Sequence, residues 1–130
     1  MLRVRDAPNW AESRFGVQRD KFEMRILRDV LGCEHVGVSY LRFGPGWRSS
    51  VGHRHPTGEE IYVLVEGRAR MKIEDEILTL EAPSAVRVRG EHLRAIRPLG
   101  DAPAVFVVAG YPIDDPDKTE ITPNFWAQDE

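Results

Sequence analysis

The chain has 130 residues, a formal charge of −3, 42% hydrophobic and 30% charged residues, a globular composition with enough chain for one core but not two. No apolar run approaches the roughly 20 residues of a membrane span, and Met1-Leu2-Arg3-Val4-Arg5-Asp6 lacks the apolar centre of a signal peptide, so a soluble cytoplasmic protein without a membrane partner is expected. Basic residues are interleaved with acids, which excludes the global positive field that gathers nucleic acid. Cys33 is alone and excludes an internal disulfide; a buried, small apolar role is expected for it.

Residues 1–20 are polar, broken by Pro8 and Gly16, and read as an irregular arm with one short helical turn, pinned by Trp10 and Phe15. From Phe22 the pattern alternates: Phe22, Met24 and Ile26 share one side, Glu23 and Arg25 the other, as in a half-buried strand. Val30 to Glu34 reads as a turn with His35 solvated beside it. A second strand through Val36, Val38 and Tyr40 runs to Phe43 and ends at the Gly44-Pro45-Gly46 breaker.

The next stretch, Gly46 to Gly67, carries chemistry. His53 and His55 stand two apart, so on extended chain both imidazoles point to one face. The Pro56-Thr57-Gly58 turn brings Glu60 back beside them, ahead of the strand-like Ile61-Tyr62-Val63-Leu64-Val65 and the closing Gly67. Two imidazoles and one carboxylate form a facial set suited to a divalent transition metal with open coordination positions. Arg48 and Arg54 flank it and read as surface charges. Tyr62 shares Glu60's face and is a candidate to line the same pocket.

This spacing resembles the first motif of the cupins: a glycine, His-x-His, a glutamate and a closing glycine. It departs in the leading loop, where six residues separate Gly46 from His53 instead of the family's five. The resemblance implies a divalent metal (Fe, Mn, Ni or Zn) on His53, His55 and Glu60, and a barrel that holds a small molecule.

After Gly67, Ala69, Met71 and Ile73 should face inward while Arg68, Arg70 and Lys72 face water. Glu74-Asp75-Glu76 turns the chain into Ile77 to Leu80 without the glycine that tight turns favour. Ala82-Pro83-Ser84 then punctuates, Ala85 to Arg89 and Leu93 to Pro98 read as short strands, and Gly100 to Pro103 as a turn. Ala104 to Gly110 is continuously apolar, as expected of a strand covered on both faces. Many short strands and almost no helical period argue an all-β antiparallel sandwich or barrel. The cupin resemblance specifies it as a jelly roll, the double-stranded β-helix, with the barrel over 21–111 and arms at 1–20 and 112–130 of a single domain.

The family's second motif, Pro-x-Gly-x-x-His followed by three residues and Asn, is degenerate in Val86 to Gly100: no proline precedes Gly90 and no asparagine follows. Two registers are open. With a loop one residue short, His92 supplies the fourth ligand; otherwise Arg94 stands in that place and His92 lies in the loop before it. The second keeps Ala95 to Gly100 aligned with the family's usual ending and is preferred. An inward Arg94 opposes a divalent cation yet offers a fork for a carboxylate or phosphate; an outward one is a surface arginine.

The C-terminal arm is acidic from Tyr111 to Lys118, then apolar at Pro123-Asn124-Phe125-Trp126, a cluster that should dock on its own barrel mouth or on the partner of a homodimer. Two functions follow. One is a metal-dependent dioxygenase, decarboxylase or isomerase of the cupin type. The other is a metal-free module binding a sugar or carboxylate through Arg94 and His92.

Overall fold

A computed structural model describes residues 2–111 and 118–126. Among these residues the chain forms ten strands: β1 (Phe22–Ile26), β2 (Gly37–Phe43), β3 (Gly52–Arg54), β4 (Glu59–Glu66), β5 (Arg68–Ile73), β6 (Glu76–Glu81), β7 (Ser84–Arg89), β8 (Arg94–Leu99), β9 (Ala104–Tyr111) and β10 (Glu120–Thr122). They make two five-stranded antiparallel sheets ordered β1-β2-β9-β4-β7 and β10-β3-β8-β5-β6. The all-β antiparallel architecture expected from the alternation, in the jelly-roll form that the family resemblance specified, is the fold.

Period-2 patterning builds the core between the sheets. Leu41 and Phe43 of β2, Tyr62 and Leu64 of β4, Ala69 and Met71 of β5, and Phe106 and Val108 of β9 meet there. Phe106 receives Phe43 and Tyr62 edge-to-face, at centroid separations of 5.9 and 6.4 Å, a geometry that aligns ring edge with ring face. Gly67 closes β4 with φ at 84° while the Pro103 carbonyl packs against its Cα, so both the backbone and the space select glycine.

Several expectations change in detail. The N-terminal segment holds two short helical pieces, Val4–Asp6 and α1 (Trp10–Phe15), not one turn. Trp10 and Phe15 pack on each other, with Phe15 64% exposed; Ala7 and Ala11 are the buried contacts instead. The polar side of β1 is not solvated. Arg25 is buried under the arm and donates to the Ala7 carbonyl at 2.5 Å and to Glu23 at 2.7 Å, so the arm satisfies a charge the alternation assigned to water. The Val30 turn contains a helix, α2 (Arg28–Leu31), and Cys33 after it is half-buried. Strand β9 is covered on both faces only as far as Phe106; Val107 is 37% exposed on the outer face of its sheet.

The C-terminal segment docks on its own chain. Strand β10 pairs with β3, Trp126 is fully buried, its backbone N–H donates to the Ser50 carbonyl at 3.0 Å, and the Arg97 guanidinium lies 4.9 Å from its ring. Lys72 donates to the Phe125 carbonyl at 2.8 Å, which is why it does not face open water as the alternation suggests. The acidic stretch expected over 112–117 lies outside the described residues.

Candidate metal centre

The two sheets contribute different donors to one place. Strand β3, held between β8 and β10, presents His53, and the chain just beyond it presents His55, whose backbone N–H donates to the Gly90 carbonyl at 2.8 Å. The turn after Pro56 then crosses to the opposite sheet, where β4 carries Glu60 between Val88 and Gly110. One ligand atom from each of His53, His55 and Glu60 can be chosen so that all lie within 4.8 Å of one another. The imidazole rings stand 5.2 Å apart at 74°, and all three residues are half-buried.

The protonation states leave donor atoms open to a cation, while the buried charge of Arg94 opposes one except so far as its pairing with Glu60 offsets it. Burial, then the neighbouring Arg94 and His55, lowers His53 from its ordinary 6.5 to about 4, so its ring is neutral and keeps a lone pair at physiological pH. For Glu60 burial pushes the carboxyl upward, but the hydrogen bond from His55 and the charge of Arg94 outweigh it and hold it down at about 2. A neutral His53 imidazole, the imidazole of His55 and an ionised Glu60 carboxylate at this separation fit a divalent transition metal.

Arg94 occupies the remaining side of the site. It pairs with His53 across β3 and β8 and points inward, fully buried. Its Nη2 donates to Glu60 Oε1 at 2.8 Å, its Nε to the Tyr62 hydroxyl at 3.3 Å, and its Nη1 to the carbonyls of Gly90 and His92 at 2.9 and 2.7 Å. Tyr62 in turn donates to Glu60 Oε1 at 2.9 Å, and burial raises its phenol well above the usual range. Of the two registers open in the sequence the second is therefore the one adopted. His92 lies in the loop before β8 and gives Arg94 its carbonyl, and among the described residues its imidazole is not part of the His53, His55 and Glu60 group. That loop is also tied at Leu93, whose N–H donates to the Glu74 carboxylate and whose carbonyl accepts from the Glu74 N–H, both at 2.8 Å.

Arg54 is a surface charge as expected, paired with Glu120 at 2.5 Å, and Arg48 and His35 are exposed. One residue near the centre escaped the sequence reading. The Thr119 hydroxyl lies 3.2 Å from His55 Nδ1 although 64 residues separate them. No local pattern marks it, since only the pairing of β10 with β3 brings it there.

A family model described as the cupin domain matches residues 39–110. With the two-sheet barrel around its His-x-His and glutamate, this chain belongs to the cupin family. An uncharacterized protein of Methanocaldococcus jannaschii is 29% identical over 69 residues; the match spans 53% of this chain and about half, 55%, of that curated relative. A cupin protein from Bacteroides fragilis is similar in structure with a TM-score of 0.58 at 25% identity, covering 74% of this chain and 80% of that one. An uncharacterized conserved protein with a double-stranded β-helix domain from Klebsiella pneumoniae aligns over 94% of this chain and 96% of its own at a TM-score of 0.70 and 15% identity, a likeness of fold.

Proposed function

We propose that this protein binds a divalent transition metal through His53, His55 and Glu60 and acts there on a small polar or anionic molecule. The observation that carries the reading is the convergence of three donor atoms within 4.8 Å from two different sheets. A metal held by these residues would supply Lewis acidity, for polarising a carbonyl or activating water or oxygen. The chain's own residues do the positioning. Arg94 and Tyr62 both donate to Glu60 Oε1 and fix the place of that carboxylate beside the two histidines. Reactions of this type include dioxygenation, decarboxylation and isomerisation.

The metal-free alternative uses Arg94 as an anion fork. Four of the five guanidinium donors already have partners within the chain, so Arg94 acts better as Glu60's holder than as a ligand's.

Metal content of tag-free protein tests the proposal. Wild type is expected to carry or take up close to one equivalent of Fe, Mn, Ni or Zn, and His53→Ala and Glu60→Ala to carry none. A wild-type site that refuses all four metals overturns it.

The outer face of the β1-β2-β9-β4-β7 sheet exposes Ile61, Val65 and Val107 on neighbouring central strands. Its rim carries both charge signs, with Arg87 and Glu59 at one side and Arg42 and Glu23 at the other. Such a rim complements itself under a two-fold axis, and we propose that a second copy of the chain covers this face.

A further inference from the structure

Glu60 reaches the two histidines past a place where the neighbouring strand carries no side chain. On its sheet it stands between Val88 of β7 and Gly110 of β9. The alternation that turns Phe106 and Val108 into the core turns position 110 the same way. Val88 is fully buried and fills one flank of Glu60. On the other flank a Cβ added at Gly110 would lie 3.2 Å from Glu60 Cγ and 3.7 Å from Oε2, so the glutamate leans over the glycine. The φ of Gly110 is not positive, and the backbone there does not require glycine. Within a strand glycine is the less stable choice. What calls for it here is the space that Glu60 takes.

We propose that Gly110 is a positioning residue of the metal centre: its missing side chain lets Glu60 set its carboxylate beside His53 and His55. The inference rests on the metal-binding reading above. Glu60 has little freedom to yield, because the buried Arg94 and Tyr62 donate to Oε1 at 2.8 and 2.9 Å and pin the far end of the side chain. A methyl group pressed against Cγ is relieved only by turning the carboxylate from its place. A bound metal holds its ligands to within about 0.2 Å of their preferred distances, so a small displacement of one donor is felt in affinity. The end of β9 is then part of the site, although glycine offers no group to the metal.

Gly37 of β2 supplies the comparison. It lies directly opposite Gly110 and faces the same way, yet a Cβ there would meet only the Gly110 carbonyl oxygen, at 4.0 Å. Alanine at 37 stiffens the chain as alanine at 110 does, and leaves Glu60 untouched.

Zinc and cobalt(II) titrations of the full chain test this, comparing wild type, Gly110→Ala and Gly37→Ala. Cobalt absorption reads the geometry of the donor set, which a change in overall stability does not move. The expected result is about 10-fold weaker zinc binding in Gly110→Ala with an altered cobalt spectrum, the lower end of what loss of a metal site's outer support costs. Gly37→Ala should keep wild-type affinity and spectrum. Wild-type affinity and spectrum in Gly110→Ala overturn the inference and leave the metal reading standing. Equal weakening in both variants assigns the effect to chain stiffness, and weakening with an unchanged spectrum assigns it to stability; each overturns the inference. If Gly110→Ala does not fold, the same change is made in Glu60→Ala, which lacks the crowded Cγ. A double variant that melts with Glu60→Ala supports the inference, and one that also fails to fold overturns it. Wild type that binds neither metal overturns both readings.

Discussion

Arg94 shows how one side chain changes the character of a site whose other residues follow a familiar pattern. Its charge lies against Glu60, and nearly every donor it has is matched, so it is a satisfied buried ion and not a stray one. Removing it leaves Glu60 ionised with only His55 and Tyr62. Arg94→Met is expected to lower unfolding free energy by about 3–5 kcal/mol in the metal-free protein. Arg94→Lys should recover little of this, because one ammonium cannot span a carboxylate and two carbonyls in the guanidinium's plane; urea unfolding at neutral pH measures both. The neighbouring ligands set the response to acid. His53 titrates near 4 when folded and near 6.5 ordinarily, so the unfolded chain takes up a proton that the folded one refuses. The corresponding stability is full above pH 6.5 and drains away as pH falls toward 4. Glu60, depressed from 4.5 to about 2, adds a second loss below pH 4.5. His53→Gln should flatten the urea midpoint between pH 6.5 and 4 while leaving the lower limb in place.

At the level of elements, strand β10 and the Phe125-Trp126 pair act as a strap over β3. Gly52 makes this close approach possible: a Cβ there would lie 2.5 Å from Phe125 Cδ2 and 2.7 Å from Cγ, and the ring cannot stay. Gly52→Ala is expected to cost about 1–3 kcal/mol, as overpacking does, and to act mainly on the strap. Hydrogen exchange of the Trp126 amide, bonded to Ser50, should speed up far more than that of Val108 in the central strand. The sequence announced the strap through its aromatic cluster, since Phe and Trp at the end of a polar segment have to be covered. It did not announce where. Docking on β3 depends on two residue types far apart in the chain, a glycine at 52 and cations at Lys72 and Arg97, meeting on one face. Similarly, the alternation in β1 placed Arg25 on the water side, and only the arm returning over it makes that side interior.

At the scale of the whole molecule the uncovered sheet face bears on association. Val107 is central in it, flanked by β2 and β4. If a second copy covers this face, wild type sediments at twice the 14.8 kDa chain mass and Val107→Glu sediments at that mass with its melting behaviour otherwise preserved. A wild-type monomer at high concentration would remove the idea. The residue pattern alone determined an all-β sandwich or barrel and most of the candidate ligand set, and the resemblance to the cupins specified the jelly roll. Strand alternation sorts Ala69, Met71 and Leu64 from their polar neighbours within a few residues, and His53, His55 and Glu60 need only an extended segment and one turn to face the same way. Those are local rules, with periods of two residues and turns of three. Whether Arg94 or His92 reaches the centre was not local, because a slip of one residue reverses every side chain of a strand, and the register of β8 is set by pairing with β3 and β5. The same holds for Thr119: its place beside His55 comes from a strand pairing between the chain's end and its middle, an energy distributed over the packed strap and carried by no short stretch of sequence.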